Sequence, residues 1–256
     1  MRFGDLNFLN QGYRRTLQFY MTAPAPCPYI RGNQERKAFT NLDIPDADAV
    51  HNALSLSGFR RSQSIAYRPA CSNCNACRSV RVPVREFELN RRWRRVDRQN
   101  SDITAVPARG QASREQYKLL KKYLDTRHHD GGMSTMTYRD YVSMVNDCPV
   151  QNLVIEYRLG DEPDAPLIGA SICDVLRDGL SMVYSFFDPE PTYAQRSLGS
   201  FMILDHIERA RELGLPHLYL GYWVQGSPKM DYKRQFWPLE ILNGETWDLL
   251  EPPKKA

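Results

Sequence analysis

The stretch from Met182 to Lys233 constrains the fold most. A short β-rich run, Met182 to Phe187, leads into a turn carrying Asp188-Pro189 and Pro191. From Arg196 to Leu213 the pattern turns helical: Leu198, Phe201, Met202, Leu204, Ile207 and Leu213 are apolar, whereas Asp205, Glu208, Arg209, Arg211 and Glu212 are polar. Gly214 and Pro216 stop that helix. A second β run spans Leu218 to Val224. Strand, loop, helix, strand is a βαβ unit, which predicts parallel strands joined by a crossover helix. The helix opens Gln195-Arg196-Ser197-Leu198-Gly199. Free backbone N–H groups there, with Arg196 beside them, suit a phosphate or carboxylate; the alternative is an ordinary helix start.

The segments before this unit supply the rest of a sheet. Ser113 to Arg127 reads as a helix capped by Ser113, His128-His129-Asp130-Gly131-Gly132 as a turn, and Thr137 to Val145 as a second helix. Three strands follow, Asn152 to Leu159, Leu167 to Val175 and Leu180 to Phe187, with Asp178-Gly179 as a tight hairpin. This element order resembles that of GNAT-like acyltransferases, in which the helix start of the βαβ unit holds the CoA pyrophosphate. The fold class expected is α/β (α+β): a GNAT-like acyltransferase C-terminal domain with a smaller cysteine-containing N-terminal domain. Residues 100–112 read as a linker, which puts the domains at 1–105 and 106–256. In the first of these, Asp46 to Ser57 predicts a helix and Phe59 to Pro69 a strand. Val80 to Phe87 predicts another strand, demoted to an edge by Pro83.

Charge and thiols mark two places in the N-terminal part. The formal net charge is only +4, yet Arg91, Arg92, Arg94, Arg95 and Arg98 share an eight-residue window, in a helix or a loop, with Asp97 the only acid nearby. Such density favours a phosphate backbone over a merely solvated face. Trp93, within it, either stacks on an exposed base or anchors the segment in the core. Cys71, Cys74 and Cys77 form C-x₂-C-x₂-C, with Cys27 as a remote fourth thiol. That set suits zinc or an iron–sulfur cluster, or is a group of reduced thiols in a turn. Cys148 and Cys173 read as core residues. The start of the chain lacks a signal-peptide pattern and no apolar run approaches a membrane span, so a cytoplasmic protein is expected. His128-His129 suits a helix C-terminus better than acid–base chemistry. No G-x-S-x-G, H-E-x-x-H or phosphate loop occurs, so any chemistry must rest on positioning and electrostatics.

Several long motifs resemble one family. LSLSGFRRSQSIAYRPACSNCNACRSVRVPV, preceded by APCPYIRGNQERKAF, is similar to the N-terminal domain of the bacterial aspartate/glutamate leucyltransferases, members of the arginyl-tRNA–protein transferase family. YSFFDP, RSLGSFMILDHIERARELGLPHLYLGYWV and GSPKMDYKRQFWPLE are similar to its C-terminal domain. The cysteine pattern departs from that of the eukaryotic arginyltransferases: Ile30 stands where a second early cysteine falls, and C-x₂-C-x₂-C replaces an adjacent pair. The resemblance implies transfer of leucine from leucyl-tRNA to proteins beginning with Asp or Glu, marking them for N-end rule degradation. It implies no required cofactor, no DNA and no membrane.

Such a transfer needs an amine and an ester held together, a stabilised oxyanion and cations for the acceptor's carboxylate. Tyr222, Lys229, Tyr232 and Lys233 follow the last strand of the βαβ unit, where α/β sites lie, and are the catalytic candidates. Tyr67, Arg68 and Arg78 are candidates for the acceptor, and Arg91, Arg92, Arg94, Arg95 and Arg196 for the tRNA. Cys27, Cys71, Cys74 and Cys77 are the metal candidates. Each has a bland counterpart in a structural tyrosine, a surface cation or a buried thiol. The competing functions are an arginyl-tRNA–protein transferase, a small-molecule acetyltransferase and a non-catalytic zinc-dependent tRNA-binding module.

Overall fold

The computed structural model describes residues 16–108, 111–127, 133–162 and 164–252; the turn at His128-His129 lies outside them. The first part carries strands β1 (Tyr20–Met21), β2 (Ala25–Pro26), β3 (Gln34–Glu35) and β4 (Lys37–Asn41). Helix α1 (Ala47–Leu56), β5 (Arg60–Ser62), β6 (Ile65–Pro69) and β7 (Arg78–Pro83) follow. Then come α2 (Arg91–Gln99), β8 (Ile103–Ala108), α3 (Arg114–Arg127) and α4 (Tyr138–Asn146). The antiparallel run is β9 (Asn152–Leu159), β10 (Leu167–Leu176) and β11 (Gly179–Phe187). A 3₁₀ turn (Pro191–Arg196), α5 (Leu198–Glu212) and β12 (His217–Trp223) complete the βαβ unit. A second 3₁₀ turn (Asp231–Gln235) and the hairpin β13 (Glu240–Asn243) and β14 (Thr246–Leu249) end the described chain.

The mixed α/β architecture expected is present. Eight strands form one sheet in the order β14-β13-β7-β12-β11-β10-β9-β8, in which β11 and β12 are parallel. A smaller sheet, β1-β4-β6-β5, is built from the N-terminal part. Helices cover both faces of the larger sheet. On one, α2 and α5 bury Trp93, Val96, Met202 and Ile207 against Val80, Val82, Tyr157 and Leu218. On the other, α3 and α4 bury Leu120, Leu124 and Tyr141 against Val154, Ile172 and Phe186.

Helix starts follow local chemistry. Asn90 Oδ1 accepts from the Trp93 N–H at 3.0 Å, Ser113 Oγ from the Gln116 N–H at 3.1 Å, and Thr137 and Asp140 form a reciprocal capping box.

Four expectations need correction. Residues 59–69 are not one strand but a hairpin turning at Gln63, whose φ of 52° sets the bend. Strand β7 is no edge: it lies between β12 and β13, because Pro83 is its last residue and the residues ahead of it keep their N–H groups for pairing. Residues 100–112 are not a linker, since 103–108 form β8 along β9. Helix α5 starts at Leu198, and the residues ahead of it form a 3₁₀ turn.

The two sheets are locked by a buried charge cluster. Arg61 of β5 forks onto Asp174 of β10, with Nη2 2.6 Å and Nε 2.8 Å from carboxylate oxygens, and His51 Nε2 of α1 lies 2.9 Å from Oδ2. Burial alone would raise the Asp174 pKa, but the His51 contact and the Arg61 fork hold it below the usual carboxylate value.

Candidate active site

A cavity of about 530 Å³ opens between the small sheet and the β7–β12–β13 region. Tyr67, Arg68 and Arg78 line it, so the three acceptor candidates share one wall system. Arg78 is steered by Asn243 of the C-terminal hairpin, whose Oδ1 accepts from Nη1 at 2.6 Å. Arg68 packs over the Phe59 ring at 5.3 Å. The sequence offered no sign of Asn243, because a polar residue in a short hairpin is unremarkable until β13 pairs with β7.

The four candidate thiols, Cys27, Cys71, Cys74 and Cys77, line the same cavity. Burial, then the neighbouring Cys27, Cys71 and Cys74, push the Cys77 thiol up to about 11. Among the described residues, however, no group of three or more His, Cys, Asp or Glu is arranged to hold a metal ion. The four thiols form a neighbourhood around one cavity. Cys173 is buried as expected, and Cys148 packs against the core around Leu42 and Leu54.

Tyr222 joins this cavity to the centre of the larger sheet. Its hydroxyl lies 3.0 Å from the Gly58 carbonyl and 2.9 Å from that of Tyr67, and its ring is tilted against Tyr67 at 6.1 Å. Burial raises its pKa well above the ordinary tyrosine value, so it stays protonated. Behind it, Lys233 donates from Nζ to the Tyr222 carbonyl at 2.6 Å. Lys233 is 6 % exposed. Burial, then the nearby Arg60 charge, push its pKa down to about 7. Tyr222 and Lys233 are therefore brought together, whereas Lys229 and Tyr232 are exposed.

The parallel ladder between β11 and β12 is short. It pairs Gly179 with His217, Leu180 with Leu218 and Ser181 with Tyr219, although β11 runs on to Phe187 and β12 to Trp223. An opening between parallel strands frees backbone groups of both for a ligand.

The arginine window is helix α2. Arg91, Arg92, Arg94, Arg95 and Arg98 are exposed, while Trp93 and Val96 are buried. Trp93 does not present a face to a base: it is 1 % exposed and stacks on Phe236 at 4.4 Å. Among the described residues no carboxylate pairs with the five arginines, which leaves the helix face strongly positive. Arg196 stands apart from them, forked onto Asp102 at 2.6 and 2.9 Å. Among the described residues no helix is long and apolar enough to cross a membrane.

Two segments of the chain match family models. Residues 25–95 match the family model described as arginine-tRNA-protein transferase, N terminus, and residues 115–243 match the C-terminus model of that family. A relative from Hyphomonas neptunium, named aspartate/glutamate leucyltransferase, is 63 % identical over 96 % of this chain and 97 % of its own. One of the same name from Allorhizobium ampelinum is 54 % identical over 92 % and 94 %. Likeness to solved structures is loose: L-PGS from Bacillus licheniformis is 11 % identical over 60 % of this chain and 49 % of that one, with a TM-score of 0.43. The matched models and the full-length relatives together mean that this chain belongs to the arginine-tRNA-protein transferase family.

Proposed function

We propose that the chain is a cytoplasmic aminoacyltransferase that moves leucine from leucyl-tRNA to the α-amine of proteins beginning with Asp or Glu, marking them for N-end rule degradation. One observation carries this reading: the relatives named aspartate/glutamate leucyltransferase match nearly end to end, at up to 63 % identity. In the transfer, the acceptor nitrogen attacks the ester carbonyl carbon. A C–N bond forms, the bond to the ribose oxygen breaks, the nitrogen loses a proton and the ribose oxygen gains one. The α-amine has a pKa of about 8, so part of it is neutral without help. No cofactor enters the step.

The site residues divide these tasks. Neutral Lys233 is the base for the nitrogen's proton, since a lysine titrating near 7 holds both forms at cellular pH. Tyr222 lines the acceptor cavity and through its carbonyl anchors the Lys233 amine, rather than moving a proton, because its hydroxyl already has backbone acceptors. Arg78, with Tyr67 and Arg68, takes the acceptor's carboxylate in the cavity. The α2 arginines take the tRNA backbone. Arg196 joins them only by exchanging Asp102 for a phosphate. Residues 1–105 then serve acceptor and tRNA recognition and 106–256 the transfer; this is a division of labour along the chain, since β7 belongs to the larger sheet. A soft metal at the thiols, zinc or an iron–sulfur cluster, is tested by metal analysis of anaerobically purified protein, and no step above passes through it.

The deciding experiment mixes purified protein with labelled leucyl-tRNA or arginyl-tRNA and peptides beginning Asp, Glu or Ala. Label on the Asp and Glu peptides from leucyl-tRNA alone is the expected result. Label from arginyl-tRNA alone would establish the second reading, which the family model's own description favours. No label from either would remove both.

A further inference from the structure

Arg60 stands where the parallel ladder of β11 and β12 stops. It comes from β5 of the small sheet, yet its guanidinium reaches the larger one. Nη1 donates to Ser181 Oγ at 3.1 Å and Nη2 to the Met182 carbonyl, the first residue of β11 past the last ladder pair. On its other side lies Gly221 of β12, where a Cβ would come within 3.3–3.4 Å of the guanidinium atoms. Gly221 has a φ of 82° and marks a register shift of β12 against β7. The side chain is thus wedged between the two strands at the point of separation.

The charge environment sets Arg60 apart from its neighbour. Arg61 is also buried, but it is neutralised by Asp174. Among the described residues Arg60 has only neutral partners, a hydroxyl and a carbonyl. Among the described residues Lys233 likewise hydrogen-bonds only to the neutral Tyr222 carbonyl. A buried cation without a counter-charge is costly, and two near one another cost more, so a purely architectural role is poorly served by this pair. The other groups around Lys233 are few. Tyr222 of β12 offers its carbonyl, the Tyr232 ring of the same turn lies 5.9 Å from Nζ, and Asp231 of that turn is exposed and makes no ion pair with it.

We propose that Arg60 is a positioning residue of the transfer centre: it holds β11 and β12 open past Ser181 and, lying against Gly221 next to the carbonyl that anchors Lys233 Nζ, keeps that amine free to accept a proton. This rests on the assignment of Lys233 as the base. The sign follows from electrostatics. A neighbouring cation disfavours the ammonium, so removing it lets Lys233 hold its proton to higher pH. The acid limb of kcat/KM, where Lys233 must lose its proton, then moves upward.

The test uses the full chain with Arg60→Gln and Arg60→Lys. Protein carrying ¹³C-lysine reports the Lys233 midpoint directly, the signal being assigned by its loss in Lys233→Arg. Arg60→Gln is expected to raise that midpoint by about one pH unit, and the acid limb of kcat/KM with it. Arg60→Lys keeps the charge and loses the fork, so the midpoint stays while kcat falls about tenfold with little change in KM. An architectural arginine would lower the melting temperature in both variants and leave midpoint and limb in place, which overturns the proposal. A midpoint that moves without the limb also overturns it, by removing Lys233 as the base. If Arg60→Gln does not fold, an unchanged kcat in Arg60→Lys is sufficient refutation. Wild-type protein that transfers no leucine removes the function above, while the titration still decides whether Arg60 governs Lys233.

Discussion

Lys233 shows how burial shifts the titration of an ordinary residue type. Its pKa of about 7 in the fold lies far below that of an exposed lysine, so between these values the unfolded chain binds a proton that the native state does not. Stability therefore rises with pH across that window, and the charged lysine is most costly below it. Lys233→Met is expected to gain melting temperature relative to wild type at pH 6, with the gain shrinking toward pH 9.5; thermal melts at both values check this. The same variant should lose about 10²–10⁴ in kcat in the leucyl-transfer assay, the usual span for removal of a general base. Arg78→Ala should instead raise KM for peptides beginning with Asp by about 10- to 100-fold and spare kcat, as expected for a lost charge-assisted bond. Initial rates over a range of peptide concentrations separate the two. Candidates such as Lys233 and Arg78 were legible as residue types in suggestive places. That Lys229 and Tyr232 are exposed while Lys233 is buried was not, since a charged side chain carries no local mark of its own burial.

At the scale of elements, helical periodicity and the turn signals between apolar runs served well. Helix α5, the hairpin at Asp178-Gly179 and strands β9 to β11 fall within a residue or two of their expected bounds, the helix by its 3.6-residue period and the strands as short runs bounded by turn residues. Prolines misled in opposite directions. Pro83 suggested an edge and closes a central strand; Pro107 lies in β8, which is the edge, in a segment with too few large apolar residues to stand out from a linker. The lock between the small sheet and β10 is the element-level contact most open to attack. Asp174→Asn leaves Arg61 and His51 without their carboxylate and should cost about 3–5 kcal/mol in urea unfolding. The carboxylate's contribution is present at neutral pH and is lost as pH falls through its lowered pKa, so the difference from wild type should narrow in acid.

For the whole molecule, a formal charge of +4 understates the positive potential of one surface, because five arginines share the exposed face of one helix. Replacing Arg91, Arg95 and Arg98 by Ala should weaken tRNA binding uniformly and reduce the slope of log K against log salt by about 2–3, read by filter binding at several salt concentrations. The helix itself should survive, since Trp93 and Val96 hold it to the core.

The amino-acid order alone determined the crossover unit, the antiparallel strands before it, the basic segment and the thiol spacing, because each is a pattern within one stretch of chain. Only the tertiary structure decided that β7 enters the larger sheet, that Tyr67, Arg78, Tyr222 and the thiols face one cavity, and that Arg60 meets Met182 across more than a hundred residues. Those meetings depend on which strands pair and which side chains lose water together, and neither is written in the spacing of neighbours along a chain.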